Sequence, residues 1–393
     1  MHLLKTALIC AMPLLLAVAG RADDTTNPLT SMPLDTIHTQ RTDVPSGLVP
    51  LGPGAEGGQF TTGQEGGTVP YLNNPACSGS MGPTLSVTNE LLVWKLGNGV
   101  DQPLVRNALS GAPRMSTGDM GFGYQPGMKT DVQYMSPEED SAFEVQYFGI
   151  YEWTDNKEID SAPHALGVPG DVRLAGTFGN PYTGTPTSGT QDYSFANAMT
   201  FRNQATFNSL EANLVWGGQK SNTGITFGPR YLGLYESFKI QSYSTFPNVG
   251  QVGAPSSVYE IDTRNDLLGA SIGFFYRGKY NCWEDYVFVK GGVYGNSARQ
   301  STFVTDAAST LVLRNNAPTA SITASSLEAG LSVRRWLNKN WLVHLGSEAM
   351  WVQNVARASD QLDFTTNSVS GSVLQFRQGA LMYGGDFGVE ARY

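Results

Sequence analysis

The feature that most constrains this chain is an alternation of apolar and polar residues that recurs from about residue 85 to the end. Successive side chains of a β-strand point to opposite faces, so a period of two gives each strand one apolar face and one polar face. The clearest cases are SAFEVQYFGIYEW at 141–153 and NWLVHLGSEAMW at 340–351. No helical period is present in this part of the sequence. The pattern therefore predicts an all-β fold.

The connections between the alternating segments are long and short by turns. Ten segments carry the alternation, at 86–96, 127–135, 141–153, 209–217, 223–235, 267–278, 286–295, 325–335, 340–351 and 381–393. The short connections are SPEED, GGQKSN, GKYNCWED and WLNKN, and the long ones cover about 97–120, 154–198, 237–261, 298–322 and 356–377. Membrane barrels have tight periplasmic turns and long extracellular loops. We therefore predict a membrane-spanning antiparallel up-and-down β-barrel over 85–393, with ten strands, or twelve as the alternative count.

The N-terminal residues predict export to the outer membrane. MHLLK is followed by the apolar run TALICAMPLLLAVA and a small-residue cleavage site, which is typical of a secretory signal peptide and is placed at 1–22. Residues 23–84 are rich in Gly, Pro and Thr and have no sustained period, so we expect a flexible periplasmic leader. A tether to the cell wall and a plug for a pore are the alternatives for this segment. No later run approaches the about 18 apolar residues of a membrane helix, which leaves strands to cross the membrane.

Two cysteines remain once the signal peptide is removed. Cys77 lies in the leader and Cys282 in a short connection, so both are expected on the periplasmic side. An even pair in an exported protein makes a disulfide between them a candidate.

The seven tryptophans lie at or just beyond the ends of the predicted strands, where membrane barrels carry aromatic girdles. The predicted girdle consists of Trp216, Trp283, Trp336, Trp341 and Tyr393 on the periplasmic side and of Trp94, Trp153 and Trp351 on the extracellular side. The last residues, FGVEARY, resemble the C-terminal insertion signal of outer-membrane barrels. Because a sheet in hydrocarbon must close on itself, we expect this strand to pair with the first. The expected partners are outer-membrane lipid and the barrel insertion machinery.

Charged side chains lie opposite the apolar face of each strand and are predicted to line the lumen. They are Lys129, Asp131, Glu144, Glu152, Glu211, Arg230, Lys290, Glu328, Arg334, His344, Glu348, Asp386, Glu390 and Arg392. Eight are acidic and five are basic, which predicts a mild preference for cations if the lumen is open. The alternative is that these charges pair and fill a narrow lumen, since barrels of about eight strands are filled by side chains and those of 16–18 hold channels.

The sequence offers few groups for other functions. A net charge of −9 without a basic cluster argues against nucleic acid as a partner. With no nucleophile elbow and no metal-ligand spacing, we predict no catalytic residue, no metal and no cofactor; His164 or His344 with a carboxylate is the alternative. We expect the acidic stretch EIDTRND at 260–266 to be a solvated outer loop rather than a calcium site. Arg357 and Asp360 are expected to brace the last long loop.

Three stretches carry a family resemblance. GPRYLGLYESF at 228–238, MWVQNVARASDQLD at 350–363 and ELLVWKL at 90–96 resemble the putative beta-barrel porin family seven, a group of bacterial outer-membrane barrels. The matching residues are Arg230, Tyr231, Leu232, Glu236, Asn354, Val355, Arg357, Asp360 and Gln361, whereas Ala358-Ser359 stand where members tend to read Pro-Gly. The resemblance spans most of 85–393 and implies the fold and the outer-membrane location.

The expected function is that of a narrow, porin-like passive pore for small solutes or ions. The alternative is a closed barrel that acts as a surface scaffold whose loops bind partners. A surface hydrolase is the third and least favoured hypothesis.

Overall fold

The computed structural model describes residues 84–106, 113–136, 140–160, 198–218, 221–243, 257–306, 311–364 and 371–393. The strands are β1 (Thr84–Leu96), β2 (Pro103–Arg106), β3 (Pro113–Ser116), β4 (Gln125–Ser136), β5 (Ser141–Asp160), β6 (Ala198–Gly217), β7 (Thr223–Tyr243), β8 (Ser257–Tyr280), β9 (Trp283–Asp306), β10 (Leu311–Asn316), β11 (Thr319–Trp336), β12 (Trp341–Gln353) and β13 (Ala380–Arg392). Two 3-10 turns lie at Thr117–Asp119 and Ser359–Gln361. The predicted signal peptide at 1–22 and almost all of the predicted leader at 23–84 lie outside the described residues.

Ten of the described strands form one closed antiparallel sheet, in the order β1-β4-β5-β6-β7-β8-β9-β11-β12-β13, and β13 pairs with β1. The closing register runs from Ser86 opposite Arg392 to Leu96 opposite Met382. Beyond it, Leu85 and Tyr393 exchange backbone hydrogen bonds of 3.2 and 2.9 Å. The remaining strands lie outside the ring, since β10 pairs only with β9, and β2 and β3 form a separate hairpin. The predicted ten-stranded barrel, closed by the C-terminal strand, is confirmed.

We call the half of the barrel next to the short connections the lower barrel. Its apolar face points outward. Leu91, Leu345 and Phe387 are 57%, 66% and 52% exposed, and they lie on β1, β12 and β13. A largely apolar surface of this kind is what lipid requires and what water disfavours. No helix in these ranges is long and apolar enough to cross a membrane.

The wall of the barrel is uneven in height. The four strands β1, β4, β12 and β13 have 12 or 13 residues, close to the about 9–11 that cross a membrane. The neighbouring strands are longer, reaching 24 residues in β8 and β9. We call the first group the low rim and the upper halves of β5 to β9 the tall wall. The tall wall rises above the membrane along one part of the barrel's circumference only, at the end away from the short connections.

The polarity of the two faces is reversed between the lower and the upper half of a tall strand. In the lower half of β6, Leu214 is exposed on the outside and Glu211 is buried on the inside. In its upper half, Phe201 and Phe207 are buried on the inside and Arg202 is exposed on the outside. The strand therefore meets lipid below and water above. The sequence prediction started this strand at residue 209 because it followed one apolar face.

Three predicted girdle residues and one predicted lumen residue lie on the opposite face from the one predicted. Trp94 and Trp153 are fully buried inside the barrel, and Trp336 is buried at its periplasmic end. In β5 the register shifts between Ile150 and Trp153, where three steps along β5 match two along β6. This β-bulge reverses the alternation, so Trp153 turns inward and Glu152 turns outward. The five other predicted girdle residues are exposed on the outer face: Trp216, Trp283, Trp341, Trp351 and Tyr393.

The corrected orientation of the tryptophans is testable by quenching with brominated lipids. In liposomes, Trp351→Phe is expected to remove part of the lipid-dependent quenching, because Trp351 is 41% exposed on the outer face. Trp94→Phe is expected to leave that component unchanged, because its ring is enclosed by the barrel. Equal losses of quenching in the two variants would contradict this placement.

Candidate functional site

The lower lumen contains all of the predicted lumen residues except Glu152. They cross-link the barrel in three groups. The Arg230 cluster comprises Glu211, Arg230, Lys290 and Glu328; the Lys129 cluster comprises Glu90, Lys129, His344, Glu348 and Asp386; and the periplasmic cluster comprises Arg277, Glu284, Arg334, Glu390 and Arg392. Asp131 and Glu144 line the space between these groups. The lumen at this level is a network of paired charges.

The Arg230 cluster spans the lumen from β7 to β11. One terminal nitrogen of the Arg230 guanidinium lies 2.7 Å from Glu328 Oε2, and its Nε lies 3.4 Å from Glu211 Oε2. Lys290 Nζ lies 3.1 Å from the same Glu211 carboxylate, which also accepts a hydrogen bond from the Ser271 hydroxyl at 2.8 Å. Two acids and two bases balance, and Arg230 is only 1% exposed. Buried charges are tolerated only when they are paired in this way.

The Lys129 cluster lies on the low rim. Lys129 Nζ donates to Glu348 Oε1 at 2.7 Å and lies 3.3 Å from Glu90 Oε2. On the far side of Glu90, His344 Nε2 lies 3.3 Å from Glu90 Oε1 and 3.6 Å from Asp386 Oδ1. Each of these residues is less than one tenth exposed. The cluster has three carboxylates against one ammonium group.

The sequence analysis missed three members of these clusters, namely Glu90, Arg277 and Glu284. Glu90 and Trp94 are four residues apart and point to the same face of β1. Placing Trp94 in the outer girdle therefore also removed Glu90 from the predicted lumen. The signal was present in the lower half of the strand, where Ser86 and Thr88 alternate with outward apolar residues. Arg277 and Glu284 lie beside the short β8–β9 connection, and in the structure their side chains lie 3.2 Å apart inside the barrel. Glu284 lay within the predicted connection GKYNCWED, which was longer than the observed one, whereas Arg277 lay in the predicted strand at 267–278 and was not selected.

A narrow cavity lies among the charged clusters and reaches the periplasmic ends of β1 and β13 at Ser86 and Arg392. Its free space for water-sized molecules is about 90 Å³. A buried water needs roughly 10–15 Å³ of such space, so the cavity has room for about six to nine waters. The lower lumen is therefore polar and wettable, but narrow.

Above the charged clusters, an apolar layer fills the lumen from wall to wall. We call it the apolar seal. Trp94 and Phe148 pack with ring centroids 4.8 Å apart, and the indole N–H of Trp153 donates to the Trp94 carbonyl at 3.0 Å. Its other members are Leu92, Leu96, Phe122, Ile150, Ala205, Phe207, Leu232, Leu234, Leu267, Tyr294, Ala324, Met350, Val352, Val355, Ala380 and Met382, and all are buried. The polar side-chain groups of these members are the two indole N–H groups and the Tyr294 hydroxyl, which lies 2.9 Å from the Ser326 hydroxyl. An ion therefore finds few polar partners at this level.

The segment that follows β12 folds into the barrel above the seal. Residues 354–364, which we call the strap, lie against the tall wall. Glu236 of β7 accepts a charged hydrogen bond from Arg357 and a backbone hydrogen bond from Ala358 at 2.8 Å. Asn265 of β8 exchanges two hydrogen bonds with the backbone of Ala356, at 2.7 and 2.8 Å. Arg357 is 1% exposed. The strap is an interior element and not a surface loop.

Asp360 links the strap to the β1–β4 connection. Its Oδ1 accepts a hydrogen bond from the Val100 N–H at 3.2 Å. Burial raises the pKa of the Asp360 carboxyl, although the Val100 N–H and the Arg357 guanidinium oppose that rise. Around this link a second apolar group packs against the tall wall: Leu104, Val105, Met115, Met120, Met199, Phe201, Phe238, Ile240, Tyr259, Ile261, Val304, Ala358 and Leu362. Arg357 thus holds the loop through Glu236 on β7, and Asp360 holds it through Val100 in the β1–β4 connection. The sequence did not indicate Glu236 as the partner of Arg357.

Three remaining sequence predictions have different outcomes. The stretch 260–266 is not a loop, because it lies within β8, with Ile261 buried inside and Arg264 paired with Asp266 outside at 2.7 Å. Its charges are the water-facing side of the tall wall. Cys282 is disulfide-bonded, and Cys77 lies outside the described residues, as does His164.

The sequence matches a family model over most of the barrel. Residues 88–375 fit the family described as Putative beta barrel porin-7. The chain belongs to this family. The matched range begins in β1 and includes the strap. It contains the whole Arg230 cluster, whereas Asp386, Glu390 and Arg392 of the other clusters and Ala380 and Met382 of the seal lie beyond its end. The protein is an outer-membrane β-barrel.

Solved structures of outer-membrane proteins are similar at low identity. The outer membrane protease OmpT from Escherichia coli has 9% identity and a TM-score of 0.37, over 79% of this chain and 97% of that chain. The attachment invasion locus protein Ail of Yersinia pestis has 7% identity and a TM-score of 0.25, over 79% and 99%. A Pseudomonas aeruginosa FadL homologue has 9% identity and a TM-score of 0.28, over 82% and 93%. Among curated proteins no match was found.

The Arg230 cluster is expected to be a major contributor to barrel stability. Arg230→Met leaves Glu211 and Glu328 buried with one fewer partner, and breaking a buried pair in this way costs about 3–5 kcal/mol. Arg264→Met is the matched control, because it breaks an ion pair that is about one third exposed and worth about 0–1 kcal/mol. The free energy of unfolding in urea, measured in liposomes, distinguishes them. Equal losses in both variants would show that the lumen pairs add little.

Docking of the strap is expected to depend on pH through Asp360. Because its pKa is raised in the docked state, the docked strap is favoured below the ordinary Asp value of about 3.9, and this contribution is lost as the pH rises through the raised value. Asp360→Asn is expected to remove that dependence and to protect the strap at neutral pH. Hydrogen exchange of strap amides, corrected for intrinsic rates, measures it. Identical pH profiles in the two proteins would exclude this role.

Proposed function

We propose that this protein is a closed outer-membrane barrel that acts as a surface scaffold. Its lumen does not conduct in the conformation described. The single observation that carries this proposal is the apolar seal, whose members include residues of nine of the ten strands of the ring and are all buried. Within it, Trp94 of β1 contacts Phe148 and Trp153 of β5. An ion crossing this layer would lose its hydration and gain few polar ligands in return. Export by the predicted signal peptide is part of the same proposal.

The tall wall supports the scaffold role. Strands of 20–24 residues extend well beyond the about 9–11 that the membrane needs, and they carry polar side chains on their outer face above it. The strap and the β2–β3 hairpin pack against the inner face of this wall, at Tyr259, Ile261 and their neighbours. The result is a rigid platform above the bilayer. Its long connections are the surface that partners would meet.

A narrow passive pore is the second candidate, and the polar cavity among the charged clusters favours it. The cavity reaches the periplasmic end and is lined by more acidic than basic side chains, among them Asp131, Glu144 and Glu390. Opening would require the strap and the seal to move together. In that state the excess of carboxylates would favour cations over anions. Small solutes or ions are the cargo that such a lumen would admit.

We propose no catalytic function. His344 is the only histidine within the described ranges, and its Nε2 faces the carboxylates of Glu90 and Asp386 in the lower lumen. It lies below the apolar seal, on the side away from extracellular substrates. A surface hydrolase would need its acid–base residues above that layer.

Planar-bilayer recording distinguishes the scaffold from the pore. The wild-type barrel is expected to give almost no steady current, because the seal and the strap close the lumen. Arg357→Ala leaves Glu236 buried without its guanidinium partner, so the strap loses its main anchor and openings are expected to become frequent. A steady, cation-selective current through the wild type would instead establish the pore.

Two controls make this result specific. Arg264→Ala removes an arginine from the outside of the same wall and is expected to leave the current at the wild-type level. The double variant Arg357→Met with Glu236→Leu removes both charges and keeps apolar volume, so it is expected to conduct less than Arg357→Ala. Equal currents from all three variants would rule out the strap as the closing element.

A further inference from the structure

Register brings His344, Gly388 and Glu90 into one row across three adjacent strands. Gly388 of β13 lies opposite His344 of β12 on one side and opposite Glu90 of β1 on the other. Because glycine has no side chain, the imidazole and the carboxylate lean over it and meet. A Cβ on Gly388 would lie 2.6 Å from His344 Nε2 and 2.8 Å from Glu90 Cγ. The glycine therefore leaves the space in which these two groups approach.

Asp386 completes the group from the same strand. Its partner on β12 is Gly346, where a Cβ would lie 2.6 Å from both carboxylate oxygens. The absence of a side chain there lets the carboxylate tilt toward the imidazole. His344 Nε2 lies 3.3 Å from Glu90 Oε1 and 3.6 Å from Asp386 Oδ1, and one ligand atom from each residue lies within 4.8 Å of the other two. Three donor groups thus lie within reach of one ion.

This spacing fits a metal ion. Ligand atoms bound at about 2.0–2.2 Å in a tetrahedral shell lie roughly 3.3–3.6 Å apart. A nitrogen with two carboxylate oxygens is a donor set that zinc and neighbouring divalent metals accept. Three protein ligands leave a fourth position, and the three residues line the narrow cavity, which has room for water. The donor set therefore resembles an open site rather than a closed structural one.

Polar atoms in the group lack partners within the described chain. Asp386 Oδ2 and His344 Nδ1 are buried without a hydrogen bond, and both side chains are less than one tenth exposed. Unsatisfied buried polar atoms are costly and call for a water or an ion. An imidazole that uses Nε2 for a metal also has a free N–H at Nδ1, which a cavity water can accept.

The surrounding charges balance a divalent cation. Glu90, Glu348 and Asp386 carry three negative charges, and Lys129 carries one positive charge, which leaves an excess of two. Lys129 binds Glu90 through Oε2, and this leaves Oε1 facing His344. The next cation, Arg334, is directed toward Glu284 at 3.8 Å. A neutral histidine with a divalent ion would neutralise the group.

We propose that Glu90, His344 and Asp386 bind one divalent first-row transition-metal ion, with water from the lumen completing its shell. The site clamps β12, β13 and β1 together at the seam where the barrel closes. The proposed metal site is the same whether the lumen conducts or not, so the inference does not depend on the proposed function. No spacing in the sequence indicates the site, because Glu90 of β1 reaches His344 and Asp386 only when the ring closes.

Titration of the purified, full-length barrel in detergent after EDTA treatment tests the proposal. Zn²⁺ is the probe for stoichiometry, measured by calorimetry, and Co²⁺ reports ligand geometry through its visible absorption. One ion per barrel is expected. His344→Ala and Asp386→Asn are each expected to weaken Zn²⁺ binding by at least the 10–100-fold that even an outer-shell change costs. Circular dichroism checks that each variant retains its β-structure.

Two further variants keep the result specific. Glu390→Gln alters a carboxylate of β13 that pairs with Arg392 outside the group, so it is expected to bind Zn²⁺ as the wild type does. Gly388→Ala keeps all three ligands and places a methyl group against His344 Nε2, so it is expected to weaken binding. The proposal is overturned if the wild type binds no more Zn²⁺ than His344→Ala, or if Glu390→Gln loses as much affinity as Asp386→Asn.

Discussion

The fold depends on the rule that a backbone in hydrocarbon must satisfy its own hydrogen bonds. Lipid offers neither donors nor acceptors, so an open sheet edge is unstable there and only a closed ring persists. In this chain the ring closes between β13 and β1, with Tyr393 bonded to Leu85. The Lys129 cluster depends on that seam, because it brings residues of the first and the last strand into one lumen. Glu90 and Asp386 meet only there.

The outer face of each tall strand contacts lipid in its lower half and water in its upper half. Below, their apolar side faces lipid and their charged side faces the lumen, where the charges must pair because water is scarce. Above, the apolar side faces inward and is covered by the strap and the β2–β3 hairpin. This inversion explains the closed top. A wall of strands standing in water on one side of the barrel would expose its inner apolar face, and the two connections of the low rim cover that face.

Much of the barrel is predictable from the sequence, since alternation is a local property and each strand repeats it. The ten strands, the closing C-terminal strand and most inward charges follow from parity alone. Local reasoning failed where parity breaks or where chemistry is not local. The bulge after Ile150 exchanged the faces to which Trp153 and Glu152 point. In β1 the upper half is apolar on both faces, so the sequence did not show that Trp94 and Glu90 point inward. The Arg357–Glu236 pair joins residues from distant strands, so no spacing rule could have found it.

The interior position of the strap also limits how this chain can vary in length. Connections that end in water accept extra residues at small entropic cost. The segment from Val355 to Leu362 cannot, because its backbone is fixed by Glu236 and Asn265 and its volume is already filled. Insertions among relatives, and epitope tags added by design, would therefore be excluded from residues 355–362 although these belong to the extracellular end. In length, this part of the last connection should behave like a core element.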